Sequence, residues 1–236
     1  MAEDILGQAL LDYQNGKYTE DILTYSSLDE EDIIPLPYLF RGFEKMPPLE
    51  QKALKLCKGE VLDIGCGAGN HSLYLQEKGY NITALDSSKG AIEVCTKRGL
   101  NKTVISAILD FDKKKYDTLL LLMNGIGLAG TLNQLKDFLL HLKSILKPEG
   151  HILLDSSDII YMYDADDDGG YWVPNDGSYY GEVEFTMQYK GEKGQPFEWL
   201  YLDFNTLQRA ASDTGFLCEL VSEGHHYDYL AKLAPK

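Results

Sequence analysis

From Glu60 onward, short apolar runs alternate with amphipathic stretches, the pattern of strands feeding a parallel sheet that is covered by helices on both faces. Residues 61–64 form the first apolar run, and a helix from Asn70 to about Lys78 is closed by Gly79. The next strand spans 82–85. A second helix, capped by Ser87 or Ser88, turns Ile92 and Cys95 inward and stops at Gly99. Residues 104–108 give a weaker third strand, and 118–123, almost wholly aliphatic, read as a central strand buried on both faces. A helix then starts near Thr131, with Leu135, Phe138, Leu139, Leu142, Ile145 and Leu146 on one face and Pro148-Glu149-Gly150 as its stop. Residues 151–154 follow as the fifth strand, so a doubly wound α/β arrangement is predicted for about 58–157.

Two regions differ from this core. Residues 1–57 carry amphipathic pieces and the breakers Pro35, Pro37, Pro47 and Pro48 without a strand pattern, and are expected to form a helical lid. Residues 159–203 hold an acidic, Gly-rich loop and two strand-like runs, 179–189 and 197–203, separated by Gly191, Gly194 and Pro196; this predicts a β-hairpin insertion. A helix at 206–214 and strands at 217–222 and 227–233 complete the core, which thus spans 58–236 around the insertion.

The 236 residues, 44% hydrophobic and 25% charged, suit a globular chain with a sizeable core. A formal charge of -15 argues against a nucleic-acid partner, because phosphate binding needs clustered cations, and the run Lys113 to Lys115 reads as a solvated turn. The acidic opening Met1-Ala2-Glu3-Asp4 and the lack of an apolar run near the roughly 20 residues that span a bilayer predict a cytoplasmic protein with no membrane partner. Cys57, Cys66, Cys95 and Cys218 are scattered without a C-x-x-C pair, so neither a zinc site nor a disulfide framework is expected.

The candidate chemistry lies where the first strand meets the first helix. In Val61-Leu62-Asp63-Ile64-Gly65-Cys66-Gly67-Ala68-Gly69-Asn70, alternate glycines let the backbone approach a ligand closely and leave first-turn amides free to donate. This stretch resembles the first motif of class I S-adenosylmethionine-dependent methyltransferases, an acidic residue followed by G-x-G-x-G. The resemblance implies that Asp63, Gly65, Cys66, Gly67 and Gly69, with Asn70 and His71 at the helix start, lie around the methionine part of the cofactor S-adenosylmethionine. It also implies that Asp86, ending the second strand beside Ser87, accepts hydrogen bonds from the ribose diol. The similarity continues through Tyr116-Asp117, Leu146-Lys147-Pro148-Glu149-Gly150 and Gly215-Phe216. Where family members carry an acidic residue after the third strand, this chain reads Ser106-Ala107-Ile108-Leu109 before Asp110, which leaves Ile108 as the adenine contact. The implied fold is a mostly parallel seven-stranded sheet whose last strand is antiparallel.

Two other readings stand beside methyl transfer. Asp86 lies about 20 residues past the first glycine, as an NAD(P)-dependent oxidoreductase requires, but G-x-G-x-x-G would need glycine where the chain has Asn70. A non-catalytic S-adenosylmethionine-binding sensor would show the same loop.

Methyl transfer is an in-line displacement that can proceed by positioning alone, so no general base is required. Met123-Asn124-Gly125-Ile126-Gly127, after the fourth strand, should lie beside the transferred methyl group, with Asn124 either orienting acceptor or cofactor or serving as a turn residue. That segment is not of the N-P-P-Y type, and with the acidic charge it favours a small-molecule acceptor. Thirteen of the 16 tyrosines fall outside 58–157 and either line an acceptor pocket or pack the lid and hairpin. Arg41 is a candidate carboxylate clamp or a surface ion pair. His225 and His226, between the last two strands, are candidate bases or turn residues. Asp164-Ala165-Asp166-Asp167-Asp168-Gly169 opens like a calcium loop, but Asn175 stands at the twelfth position and Pro174 blocks an exiting helix, so no metal is expected.

Overall fold

The computed structural model describes residues 4–112, 114–166, 168–173 and 177–236. Met1 to Glu3, Lys113, Asp167, Pro174 and Asn175, considered above, lie outside the described residues. The chain opens with helix α1 (Ile5–Gln14), strands β1 (Ile22–Ser26) and β2 (Glu31–Ile34), the short helix α2 (Leu36–Leu39) and helix α3 (Pro48–Leu56). Then β3 (Glu60–Ile64), α4 (Asn70–Glu77), β4 (Asn81–Asp86), α5 (Lys89–Lys97), β5 (Thr103–Ile105), β6 (Tyr116–Leu121), α6 (Leu132–Ser144) and β7 (Leu146–Ser157) alternate as the apolar pattern predicts. After them come β8 (Glu182–Tyr189), β9 (Glu192–Lys193), β10 (Phe197–Leu200), α7 (Phe204–Asp213), β11 (Phe216–Glu223) and β12 (Asp228–Pro235).

Seven strands form one sheet in the order β11-β12-β7-β6-β3-β4-β5. Its inner pairs, from β7 through β5, are parallel, and β12 alone runs against both neighbours, which is the reversed last strand expected. Period-two alternation assigns each central strand to two cores. Leu62, Leu119, Leu121, Ile152 and Leu154 pack with α6 and α7, whereas Val61, Leu120 and Leu153 pack with α3 and Leu75 of α4. Each such fully buried leucine is worth about 2 kcal/mol of transfer free energy, so the sheet is clamped from both sides. A capping box at Thr131 and Gln134 starts α6, and Ser88, of the two serines proposed, caps α5 by accepting from the Ala91 amide.

Two expectations about elements need correction. The helix at 131 does not continue to Pro148: it ends at Ser144, and Ile145 and Leu146 are buried after the chain has turned into β7. The tighter turn is possible because Tyr116, at the start of β6, donates its amide to the Ile145 carbonyl.

The second correction concerns the N-terminal segment, which is not purely helical. Its β1 and β2 join β8, β9 and β10 in a second sheet of five strands, with the path β10-β8-β1-β2. Leu23 pairs with Gln188 and Ser26 with Phe185, so the edge that the hairpin β8/β10 would leave open is covered by a strand from the far end of the sequence. The N-terminal strands β1 and β2 and the hairpin strands are therefore one antiparallel layer. It stands against the carboxyl ends of the parallel strands, with Trp199 packed on Gly127 where a Cβ would lie 2.2 Å from the indole. Among the described residues no helix is long and apolar enough to cross a membrane.

Candidate active site

The turn from β3 to α4 carries positive φ angles at Gly65 (72°), Gly67 (53°) and Gly69 (81°), a conformation that side-chain-bearing residues rarely adopt. The glycines differ in what they face. A Cβ on Gly67 would meet nothing within 4 Å, whereas one on Gly69 would lie 2.8 and 2.9 Å from Leu100 and Cys95. Bare backbone at 67 thus opens onto a cavity, and bare backbone at 69 lets the loop close on α5. Gly65 and Cys66 both donate their amides to the Leu85 carbonyl, and Gly67 donates to Asp86 Oδ2 at 2.9 Å. Asp86 takes the Ser88 amide on its other oxygen, so its carboxylate braces the glycine loop against the start of α5. Each oxygen still has a lone pair for a further donor. Burial pushes this carboxyl up against those two amide bonds, and it does the same to Asp63 below the loop. Asp63 is 2% exposed and accepts from Ser72 Oγ at 2.7 Å, so it positions α4 and does not face the cavity.

The cavity, about 370 Å³, is lined by Gly65, Cys66, Gly67, Ala68, Asn70, His71 and Gly125 from the core. Leu6 and Leu10 of α1, Tyr38 and Leu39 of α2, and Met187 and Trp199 of the second sheet close its other sides. Helix α1 is held there by Asp4, whose carboxylate accepts from Ser88 Oγ and the Gly90 amide at 2.9 Å each. Asn70 has a second duty: Nδ2 donates to the Leu39 carbonyl at 2.6 Å and Oδ1 accepts from Arg98, which ties α2 to the glycine loop. Of the other residues proposed for the cofactor, Gly69, Asp86, Ser87 and Ile108 do not line the cavity, Asp86 being buried behind Gly67, and Asn124 faces the neighbouring cavity.

Arg41 and His71 meet in an arrangement the sequence did not announce. Both Glu50 oxygens accept from Arg41 Nη2, and Glu50 Oε2 is 2.9 Å from His71 Nε2. All three side chains are buried, so Arg41 is neither a surface ion pair nor a clamp reaching into the cavity. Burial opposes ionisation of Glu50, but hydrogen bonds and charge from His71 and Arg41 outweigh it and hold the carboxyl below its ordinary range. Burial likewise opposes protonation of His71, and Glu50 together with Asp63 reverses that and raises it. The guanidinium lies 3.8 Å from the Tyr38 ring centre, so this buried network supports the α2 wall.

A further carboxylate was missed. Asp155, near the end of β7, accepts the Asn124 amide at 2.7 Å and the Met123 and Gly125 amides at 3.1 and 3.4 Å. It holds Met123 and Asn124 at φ of 63° and 57°, and burial, with the Glu50 charge adding, pushes it up to about 6. An acidic residue ending an aliphatic strand, the signal that picked out Asp86, was available here in Leu153-Leu154-Asp155. Asn124 lines the neighbouring cavity, and its side chain is tied to distant segments: Nδ2 donates to the Leu200 carbonyl and Oδ1 accepts from Ser156 Oγ.

A second cavity of about 460 Å³ lies between Asn124 and the concave face of the antiparallel sheet. Alternate residues line it: Thr24 and Ser26 of β1, Asp32 and Ile34 of β2, Val183, Phe185 and Met187 of β8, and Phe197 and Trp199 of β10. Ile34, Met123, Met187 and Trp199 border both cavities, so the two adjoin. Tyr201, also on this wall, has a phenol that burial, aided by Tyr161 and Asp32, pushes up to about 12. Three of the 13 outlying tyrosines line one of these two cavities directly: Tyr38, Tyr161 and Tyr201. His225 and His226 sit exposed in the β11/β12 turn and line neither cavity. In the acidic loop, Asp166 Oδ1 accepts the Asp168 and Gly170 amides, closing a local turn.

Residues 61–150 match the family model described as a methyltransferase domain. A solved structure of an S-adenosylmethionine-dependent methyltransferase from Bacteroides fragilis, in complex with S-adenosyl-L-homocysteine, is 42% identical over 98% of this chain and 94% of its own, with a TM-score of 0.91. A putative methyltransferase, YqeM, from Bacillus subtilis is 28% identical over 105 residues, 42% of each chain. The ubiquinone biosynthesis O-methyltransferase of Rickettsia akari is 28% identical over 106 residues, 43% of this chain and 41% of its own. The match thus spans about two fifths of these curated relatives, and the solved structure carries the likeness through both sheets. On the glycine loop, the seven-stranded order and the full-length similarity, which together answer the dinucleotide alternative, this chain belongs to the S-adenosylmethionine-dependent methyltransferases.

Proposed function

We propose that this chain methylates a small molecule seated in the second cavity, with S-adenosylmethionine held in the first. The reading rests on one observation: a cavity floored by bare glycine backbone adjoins, across Ile34, Met123, Met187 and Trp199, a separate cavity with its own walls. The residues fit the cofactor's chemistry. Gly67 offers space where a side chain would intrude, the apolar wall of Leu6, Leu10 and Leu128 suits a flat base, and Asp86, behind Gly67 and off the cavity lining, keeps a lone pair on each oxygen for a diol. When bound, the cofactor supplies an electrophilic methyl group on a sulfonium. The chain's own part is to orient, by keeping the acceptor atom near the shared wall and excluding water from it. Asp155 serves this indirectly by fixing the Met123–Asn124 turn that forms the wall.

Calorimetry with S-adenosylmethionine and S-adenosylhomocysteine tests the cofactor site directly. Asp86→Asn keeps the shape but removes a charged acceptor, worth about 2 kcal/mol, so affinity should fall about 30-fold. Unchanged affinity would remove Asp86 from the cofactor site.

A further inference from the structure

The lining of the second cavity restricts what can enter it. Phe185, Phe197, Trp199 and Tyr201 supply aromatic faces from one side of the antiparallel sheet. Among the described residues, the only charged ones on the lining are Glu30 and Asp32, with no lysine, arginine or histidine. Asp32 lies two residues from Ile34 on the same face of β2, and so about 7 Å along the strand from a residue that borders both cavities. Its Oδ1 accepts the Ile33 amide, while Thr24 Oγ1, beside it, donates to the Asp32 carbonyl. The chain's formal charge of -15 adds a field that draws cations and repels anions.

Resting on the reading of this cavity as the acceptor site, we propose that the acceptor is an aromatic or similarly apolar amine, recognised by the aromatic wall and by Asp32 and Glu30, and that methyl transfer occurs at its nitrogen. The amine approaches as an ammonium ion, which the carboxylates and the aromatic faces attract. It loses a proton to water, and the freed lone pair forms a bond to the methyl carbon while the carbon–sulfur bond breaks and its electron pair stays on the departing thioether. Positive charge passes from sulfur to nitrogen, and a second proton then returns to water. A phenol or a carboxylic acid would instead have to react as an anion beside two carboxylates, with no cation on the lining to offset the repulsion.

The test compares three probes of one shape, 2-phenylethylamine, 2-phenylethanol and 3-phenylpropanoate. Two readouts are taken on the full chain: formation of S-adenosylhomocysteine, and quenching of Trp199 fluorescence in Trp172→Phe, which leaves one tryptophan. The amine should be methylated and should quench, with the acid inert in both and the alcohol unmethylated. Asp32→Asn and Glu30→Gln, both at exposed positions, should each raise KM for the amine about threefold with little change in kcat, and added salt should shrink that difference. Methylation of the acid or alcohol as fast as the amine, absence of amine methylation by protein that binds S-adenosylhomocysteine, or KM unmoved in both variants would overturn the proposal and leave the cofactor reading intact. Failure to bind S-adenosylhomocysteine in calorimetry would instead bring down the reading on which the proposal stands.

Discussion

Glu50→Gln isolates the buried network behind the cofactor cavity. In the wild-type chain both Glu50 oxygens accept from Arg41, and Oε2 also pairs with His71, with the Arg41 and Glu50 side chains 3% and 4% exposed. The substitution keeps the volume but removes the one carboxylate that, among the described residues, is bonded to a buried guanidinium whose Nε has no partner there. Removing one partner of such a pair costs about 3–5 kcal/mol, and because glutamine retains one acceptor oxygen the lower end, about 3 kcal/mol, is expected. In a domain of this length that lowers Tm by roughly 6–12 °C. The sign with pH follows from the two shifts. Glu50 is lowered, so its contribution is present above its ordinary value of 4.5 and is lost as pH falls; His71 is raised, so its contribution is complete below 6.5 and is lost as pH rises through the folded value. The penalty of Glu50→Gln should therefore be largest near pH 6 and smaller at pH 4 and pH 9. Urea unfolding at the three pH values measures it. A loss under about 1 kcal/mol at pH 6 would refute the network's role. The double variant Arg41→Met with Glu50→Leu, which removes both members of the ion pair but leaves His71 Nε2 without its carboxylate, should recover part of the stability, and a further loss there would show that packing around these residues is what matters.

Gly67→Ala and Gly69→Ala should separate binding from stability. At 67 the methyl group enters open space at a φ of 53°, at a cost of about 1–2 kcal/mol, and calorimetry should find S-adenosylhomocysteine affinity down about tenfold. At 69 the same φ penalty is joined by contacts of 2.8 and 2.9 Å with Leu100 and Cys95, so the melting temperature should fall further than in Gly67→Ala; equal drops would contradict the two roles. For Asp155, a carboxyl raised to about 6 binds a proton on folding, so its contribution to stability grows as pH falls from above 6 toward 4. Asp155→Asn should remove up to about 3 kcal/mol of that pH dependence relative to wild type, and identical slopes between pH 4.5 and 8 would show that Asp155 is not the group responsible.

The parallel sheet was legible because its information is local. Each strand of 58–157 announces itself as an aliphatic run, each helix by period and cap, and right-handed crossovers leave few ways to assemble them. The same locality made the glycine loop readable, since Gly65, Gly67 and Gly69 lie next to one another in sequence and act together. What lay hidden were partnerships between distant residues. Nothing near Arg41 says that its counter-ion is Glu50, because that pair forms only when α3 folds back on the segment after α2, and nothing near His71 says that it pairs with the same carboxylate. Asn70, read as a cofactor contact, also ties the loop to α2 through Leu39, a duty visible only once the lid is in place.

The acceptor side was the least legible part, for a reason that bears on how such enzymes acquire substrates. β1 and β2 are short and carry polar residues on one face, Thr24, Ser26 and Asp32, so they lack the apolar alternation that marks a core strand. Their polar face is the cavity wall. A strand whose inward positions must contact a small molecule cannot also advertise itself by inward hydrophobicity, and its partner β8 lies some 160 residues away, pairing Leu23 with Gln188. The loop that grips a common cofactor can keep its local signature because its ligand does not change. On the proposed function, the sheet that would face the acceptor is assembled from two remote segments, each free to vary at alternate positions while the hydrogen-bonded ladder is kept, so specificity would change at Asp32 or Phe185 without disturbing the pairing that holds the wall together.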